Sequence, residues 1–221
     1  MKRLLISTFV LLNILQLISA QISDPGQVFN NLQANVSAVK NQKSRPDSER
    51  QALVAKIERS TNIISEKWRQ SHDKNVPPDY LQTIKFDSDL LRQIAEGHMS
   101  SEDTLAILRD VRDDLTTKAA HARANNGAAE TLASKVEVTV KTKKSGQEVG
   151  GYLVRCNPRR YADQATPMFV FNNATSPTVR SLPPGNYKMW IEMPDGNEVS
   201  SRPITIGGNG EVSQEIVFDL Q

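Results

Sequence analysis

The spacing of apolar residues changes once along the chain, near Asn125-Asn126-Gly127. Before this point apolar residues recur every three or four positions, which places them on one face of a helix. After it they alternate, as in the stretch 136–140 (Val-Glu-Val-Thr-Val), which places them on one face of a strand. The sequence therefore predicts an α+β protein of two units: a helical unit over 21–124, a linker over 125–134 and a β unit over 135–221.

Residues 1–20 have the three parts of a secretory signal. Two basic residues precede an apolar stretch over 4–18, and Ser19-Ala20 supplies small residues before an expected cleavage site at Gln21. The apolar stretch is shorter than the roughly 20 residues that a membrane-spanning helix needs, which favours cleavage over a retained anchor. We expect a secreted, periplasmic or cell-surface protein with no stable membrane span after cleavage.

The predicted signal also accounts for the positive charge of the chain. The sequence has 27 basic and 25 acidic residues, a net charge of +2. Lys2 and Arg3 supply this excess, so the mature chain has a net charge of zero. Nucleic-acid binding generally needs a strong basic footprint, and we therefore expect no nucleic-acid partner.

Four amphipathic helices are predicted in the first unit. They cover about 25–41 and 47–71, a segment from Asp79 to the cap residue Gly97, and a segment that begins near Ser101. Amphipathic helices with short connections are typical of a four-helix bundle that packs on itself. The alternative is that their apolar stripes form a groove for a partner.

Seven strands are predicted in the second unit. Apolar residues alternate with other residues in most of these segments, and Pro194-Asp195-Gly196-Asn197 is a strong turn signal. Pro203 predicts that the segment 199–206 is an edge strand or contains a bulge. Short strands separated by Gly, Pro and Asn turns indicate a seven-stranded antiparallel β-sandwich.

Two stretches of the β unit resemble a known module. The segment 145–154, Ser-Gly-Gln-Glu-Val-Gly-Gly-Tyr-Leu-Val, resembles the opening of a carboxypeptidase regulatory-like module. The segment 179–190, with Leu182, Pro184-Gly185 and Tyr187, resembles the later hairpin of that module, which collagen-adhesin B-type repeats share. The resemblance implies a transthyretin-like (prealbumin-like) sandwich with a non-catalytic role. The helical unit resembles no family.

The sequence contains no pattern of reactive residues that indicates catalysis. His72, His98 and His121 have no metal-ligand partner three or four residues away, and there is neither a nucleophile elbow nor a phosphate-binding loop. We therefore predict no catalytic residue, no metal and no cofactor.

The other reactive side chains also have structural interpretations. The single cysteine, Cys156, alternates with Tyr152 and Val154, which predicts a buried structural thiol. The acidic pair Asp113-Asp114 lies among arginines, which is typical of a solvated helix face with ion pairs.

One local excess of charge remains in the β unit. Seven basic residues lie between Lys135 and Arg160 against Glu137 and Glu148, a net charge of +5. Trp190 has the opposite strand parity to Met189, so it is expected to be exposed or to face the helical unit. The predicted binding residues are Lys141, Lys143, Lys144, Arg155, Arg159, Arg160 and Trp190. They would bind an acidic partner protein or an anionic envelope polymer; the alternative is that these cations serve solubility and protect strand edges.

Together these features predict an exported, non-enzymatic protein of the cell envelope that binds or scaffolds a partner protein or an envelope polymer, carbohydrate included. The alternative is an extracellular enzyme, or an enzyme accessory module, that acts on a polysaccharide or peptide. A cleft that brings His98 or His121 together with carboxylates would favour the enzyme.

Overall fold

The structure, a computed structural model, describes residues 24–42, 47–71, 76–124, 135–161, 166–175 and 177–220. The predicted signal peptide and the predicted linker lie outside these described residues. Four helices are followed by two β-sheets, which confirms the α+β class. None of the described helices combines the length and the apolar character that crossing a membrane requires.

The helices begin and end close to the predicted positions. Their bounds are α1 Pro25–Asn41, α2 Ser48–Gln70, α3 Pro78–Ala95 and α4 Ser101–Ala124. The Asp47 side chain caps α2 by accepting a hydrogen bond from the Glu49 N–H at 2.9 Å. Gly97 follows α3 with a φ of +75°, the left-handed geometry expected of a residue just beyond a helix end.

The apolar faces of the four helices pack against one another. Leu32, Ile57, Ile84 and Leu108, one from each helix, are fully buried in a single core. This core agrees with the prediction that the bundle packs on itself. Because each stripe is covered by another helix, the helical unit leaves no continuous apolar groove along these four positions.

Helices α2 and α4 run side by side in the same direction. Near the start of α2 and about two turns into α4, the Arg109 side chain donates a hydrogen bond from Nε to Glu49 Oε1 at 2.9 Å. About two to three turns further along α2, the hydroxyls of Ser60 and Thr116 lie 3.4 Å apart. The same levels of the two helices therefore stay next to each other.

The β unit contains two four-stranded sheets. The described strands are β1 Val136–Lys144, β2 Gln147–Val149, β3 Leu153–Pro158, β4 Phe169–Val170, β5 Thr178–Leu182, β6 Gly185–Glu192, β7 Glu198–Ile206 and β8 Ser213–Leu220. In the first sheet β1 pairs with β8, β5 and β2, and in the second the order is β4-β3-β6-β7.

Two details of the β unit differ from the prediction. The described strands number eight, because the three residues of β2 return along β1 and are too few to show an alternating pattern. The pair β1–β8 is parallel, whereas all other strand pairs are antiparallel. Hydrophobic alternation reports which face of a strand is buried but not the direction of its neighbour.

The inner faces of the two sheets share one core. Val138 and Val140 from the first sheet and Val154, Cys156 and Met189 from the second are fully buried in it. The predicted burial of Cys156 is thus confirmed. Removal from water disfavours the thiolate and raises the pKa of Cys156 to about 12.

Side chains connect the open edges of the two sheets. Strand β7 lies at the edge of its sheet, which confirms the prediction made from Pro203. Arg202 Nη2 donates a hydrogen bond to the Val217 carbonyl of β8 at 2.8 Å, and Gln214 Nε2 donates one to the Thr205 carbonyl of β7 at 3.0 Å. These bonds occupy backbone acceptors that an added strand could otherwise use.

Candidate functional site

Helix α4 contacts the start of β6 and joins the two units. The Asn186 N–H donates a hydrogen bond to Asp114 Oδ1 at 2.8 Å, and Lys118, one turn further along α4, forms an ion pair with Asp114. A Cβ atom at Gly185 would lie 2.6 Å from the same carboxylate oxygen, so the approach of helix and strand requires glycine there.

The charged groups at this junction are buried. The Lys118 side chain is fully buried and faces Asp87 of α3 as well as Asp114. Burial lowers the pKa of Lys118 to about 8 and raises the pKa of Asp87 to about 7, and the attraction between the two charges opposes both shifts. The adjoining cavity measures about 20 Å³ and has room for no more than one water molecule. The arrangement therefore joins elements and offers no space for a substrate.

A second contact between the units follows β3. The rings of Phe86 on α3 and Tyr161 pack with centroids 4.3 Å apart. Arg159 Nε and Arg160 Nη1 lie 3.9 and 3.7 Å from the carboxylate of Asp110 on α4. The bundle and the β unit are thus in contact through β6 and through residues 159–161, and also through the turn 207–210, which lies against His121 and Ala124, and through the Lys135–Asp79 ion pair.

An open cleft of about 690 Å³ lies beside this junction, between α2, α4 and the β unit. Five cationic side chains line it: Lys56 and Arg59 from α2, Arg112 and Arg123 from α4, and Arg159 from the β unit. Asp113 is the one acidic residue among the described residues that line it. The lining therefore carries a net charge of +4. We call this feature the basic cleft.

Helical spacing explains why these side chains converge. Lys56, Arg59 and Ile63 occupy one face of α2, at steps of three and four residues. Arg112, Thr116 and Arg123 occupy one face of α4, at steps of four and seven residues. Since α2 and α4 lie side by side, these two faces form adjacent walls of the cleft.

Three of the five cations have no carboxylate partner among the residues that the structure describes. Arg112 Nε lies 2.6 Å from Asp113 Oδ1, and Arg159 lies near Asp110 as given above. Lys56, Arg59 and Arg123 make no ion pair within the described part of the chain. These three can pair with an anion without breaking an existing ion pair.

Polar groups connect the β wall of the basic cleft to α4. The Thr205 hydroxyl donates to Asn186 Oδ1 at 2.7 Å, and Asn186 Nδ2 contacts the Thr117 hydroxyl at 3.4 Å. The Thr117 hydroxyl donates in turn to the Asp113 carbonyl at 3.0 Å. This chain of hydrogen bonds holds the wall in place and leaves hydroxyl and amide groups beside the cations.

The predicted basic surface is divided by the structure. Arg159 alone among its members lines the basic cleft. Lys141 lies on the outer face of the first sheet, where it pairs with Glu215 at 2.8 Å, and Arg155 lies on the outer face of the second sheet, where it pairs with Glu192. Because the two outer faces point in opposite directions, the stretch does not form one patch.

The remaining predicted binding residues have different surroundings. Lys143 and Lys144 lie at the end of β1 and form no ion pair with a described carboxylate, and Arg160 contacts Asp110. Trp190 is 9% exposed, which excludes the first of its two expected positions, an exposed side chain. Contact with the helical unit, the second, stays a prediction. Residues of both parities are buried over Met189–Glu192, so β6 is covered on both faces there.

Neither described histidine takes part in the basic cleft. His121 is fully buried and packs against the turn at Gly207, where a Cβ would lie 2.9 Å from its Nδ1. The His98 side chain is 68% exposed beside Glu96 on the α3–α4 connection. His72 lies outside the described residues. In the described ranges, no group of three His, Cys, Asp or Glu side chains is placed to hold a metal ion.

Sequence reasoning missed four of the five cleft cations. Lys56, Arg59, Arg112 and Arg123 each sit on a helix with mixed charges, where a solvated face is the ordinary interpretation. The same interpretation was given to the acidic pair Asp113-Asp114, and it is wrong for Asp114, whose side chain is only 14% exposed. The one available signal was the absence of an acid four residues from Arg59 or Arg123 on the same helix.

No protein-family model matches this chain, and no curated protein is similar to it.

Proposed function

We propose that this is an exported, non-enzymatic protein of the cell envelope that binds an acidic ligand in the basic cleft. The observation that carries the proposal is a cleft of about 690 Å³ with five cations against one acid. Three of those cations have no carboxylate partner within the described residues. A concave surface of one charge sign concentrates ligands of the opposite sign and accelerates their association.

The position of the titratable groups supports binding over catalysis. A general acid or base must reach the substrate, directly or through one water molecule. Asp87, Lys118 and His121 have the most unusual surroundings, but each is buried. In this proposal these three residues hold α4 against the β unit, and this contact fixes the wall of the basic cleft that the β unit provides.

For the β unit we propose a transthyretin-like, carboxypeptidase regulatory-like module. Two sheets around one core support this proposal. Within the resembling stretch, the Tyr187 hydroxyl donates to the Pro183 carbonyl at 2.8 Å and holds the loop before β6. The parallel β1–β8 pair and the short strand β2 are features that the proposed module has to accommodate.

Fluorescence anisotropy with labelled poly-L-glutamate tests the binding function. The mature chain should bind the probe, and Lys56→Glu/Arg59→Glu should lower the affinity by about tenfold or more, because two attractive charges become repulsive. Lys143→Glu/Lys144→Glu is the matched control, since it makes the same change of charge outside the cleft. Circular dichroism establishes that all variants fold.

The result that would overturn the proposal is equal binding by the two double variants and the wild type, or no binding by the wild type. A loss of binding confined to Lys143→Glu/Lys144→Glu would instead assign the function to the surface predicted from the sequence.

A further inference from the structure

We infer that the ligand of the basic cleft is an extended acidic peptide segment of a partner protein, with carboxylates at both ends of about five residues. This inference rests on the proposed function and adds the class, length and charge pattern of the ligand. It follows from how the cations are distributed along α4.

The cations lie at two ends of the basic cleft. Arg112 and Arg123 are eleven residues apart on α4, which corresponds to about 16 Å along the helix axis. The contact between Ser60 and Thr116 places Lys56 and Arg59 near the level of Arg112. One end therefore has a cluster of cations, and the other end has Arg123.

The segment between the two ends is small and uncharged. Ala119 and Ala120 of α4 and Ile63 of α2 line it. Small side chains leave room for a backbone to approach α4 closely. Asn186 and Thr205 stand on the opposite wall with an amide and a hydroxyl that can bond to a peptide backbone.

An extended peptide matches this length. In an extended chain the first and fifth residues are four steps of about 3.3 Å, or about 13 Å, apart, and the flexible Glu and Arg side chains cover the remaining distance of about 3 Å between the two cation sites. Guanidinium groups bind carboxylates through two parallel hydrogen bonds, and this makes Arg112 and Arg123 suitable end points.

The lining disfavours two other classes of polyanion. No aromatic side chain is present among the described residues that line the cleft. Sugar rings and unpaired bases both bind preferentially against aromatic rings. An acidic polysaccharide and a single-stranded nucleic acid are therefore the competing outcomes of the test and not the proposal.

Two capped pentapeptides of equal charge test the inference. Glu-Ser-Gly-Ser-Glu has carboxylates at both ends, and Glu-Glu-Ser-Gly-Ser has both at one end. Competition against labelled poly-L-glutamate should show tighter binding of the first peptide, by about three- to tenfold, because only it can place carboxylates at the cation cluster and at Arg123 at the same time. Arg123→Glu should abolish this preference, and Lys56→Glu/Arg59→Glu should weaken both peptides. Lys143→Glu/Lys144→Glu should change neither.

Equal binding of the two peptides, or an undiminished preference in Arg123→Glu, would overturn the inference and leave the proposed function standing. Two other polyanions, polygalacturonate and a single-stranded DNA oligonucleotide, are tested in the same competition. If either competes more strongly than the first peptide, and Lys56→Glu/Arg59→Glu abolishes that competition, the inference is also overturned. If the cleft variants change the binding of none of these anions, the proposed function itself is wrong.

Discussion

At the level of single residues, the junction between the units depends on Gly185. A Cβ there would lie 2.6 Å from Asp114 Oδ1 and 3.2 Å from Lys118 Nζ. We expect Gly185→Ala to lower the free energy of unfolding by roughly 1–3 kcal/mol, because the added atom separates α4 from β6. Urea denaturation measures the loss. Gly196→Ala, in an open turn with a φ of +89°, is the control and should cost only the backbone strain of about 1 kcal/mol; an equal or larger loss there would contradict the prediction.

Asp87 gives the stability of the protein a specific dependence on pH. Burial raises the pKa of Asp87 to about 7, above the usual value of about 3.9 in the unfolded chain. Between these values the folded state holds a proton that the unfolded state has lost, so this residue's contribution to stability falls as the pH rises from about 4 to about 7. The free energy of unfolding of Asp87→Asn, measured by urea denaturation, should therefore increase relative to that of the wild type as the pH rises from 5 to 7.5. A difference that does not change with pH would contradict this.

Cys156 is expected to be inert in the folded protein. The thiol is fully buried, and burial raises its pKa to about 12, so almost no thiolate is present at neutral pH. A thiol reagent should label the native protein only as fast as the protein opens, and labelling should become rapid in urea. Cys156→Ser should lower the free energy of unfolding by roughly 1–3 kcal/mol, because a hydroxyl without a partner is buried in the core. Rapid labelling under native conditions would show this account to be wrong.

At the level of elements, Asp114 and Lys118 determine how α4 lies on β6. Asp114→Ala removes the acceptor of the Asn186 N–H and one of the two carboxylates that face the fully buried Lys118 ammonium, which should lower the free energy of unfolding by roughly 3–5 kcal/mol. Asp114→Ala/Lys118→Met removes the buried ammonium as well. Because burial already raises the pKa of Asp87 to about 7, Asp87 can then be neutral, and we expect the double variant to be more stable than the single one. Thermal or urea denaturation of both variants measures the difference. A double variant that is less stable than Asp114→Ala would show that Lys118 contributes mainly through other contacts.

Some elements of the structure can be predicted from short stretches of sequence, and others cannot. The four helices follow from apolar spacing and caps, and β7 follows from Pro203, because these signals act within a few residues. The strand β2 was missed because its three residues are too few to show alternation. The parallel β1–β8 pair was missed because it depends on residues that are distant in sequence. The basic cleft was missed for the same reason: Lys56 and Arg112 lie 56 positions apart in sequence, and only the parallel packing of α2 and α4 makes them neighbours.

At the level of the whole molecule, each unit has its own hydrophobic core, and polar and aromatic contacts join the two units. The basic cleft takes its walls from both units, so its shape depends on the junction between them. The two hydrophobic cores do not depend on the junction. Variants at Gly185 or Asp114 that keep both units folded should still weaken poly-L-glutamate binding, because Asn186 and Thr205 would no longer be held beside α4.

The arrangement of cores predicts that residues 130–221 fold without the helical unit. The core of the β unit is made from its own two sheets. The contacts with the bundle lie outside this core, at Lys135, at the start of β6, at residues 159–161 and at the turn 207–210. We expect β-type circular dichroism and a cooperative melt, with a lower melting temperature than the full chain because the Asn186–Asp114 bond and the Phe86–Tyr161 contact are absent. Protection of Cys156 from a thiol reagent reports independently whether the core has formed. A fragment that is labelled at once, stays unfolded or aggregates would show that α4 is needed to complete the β unit.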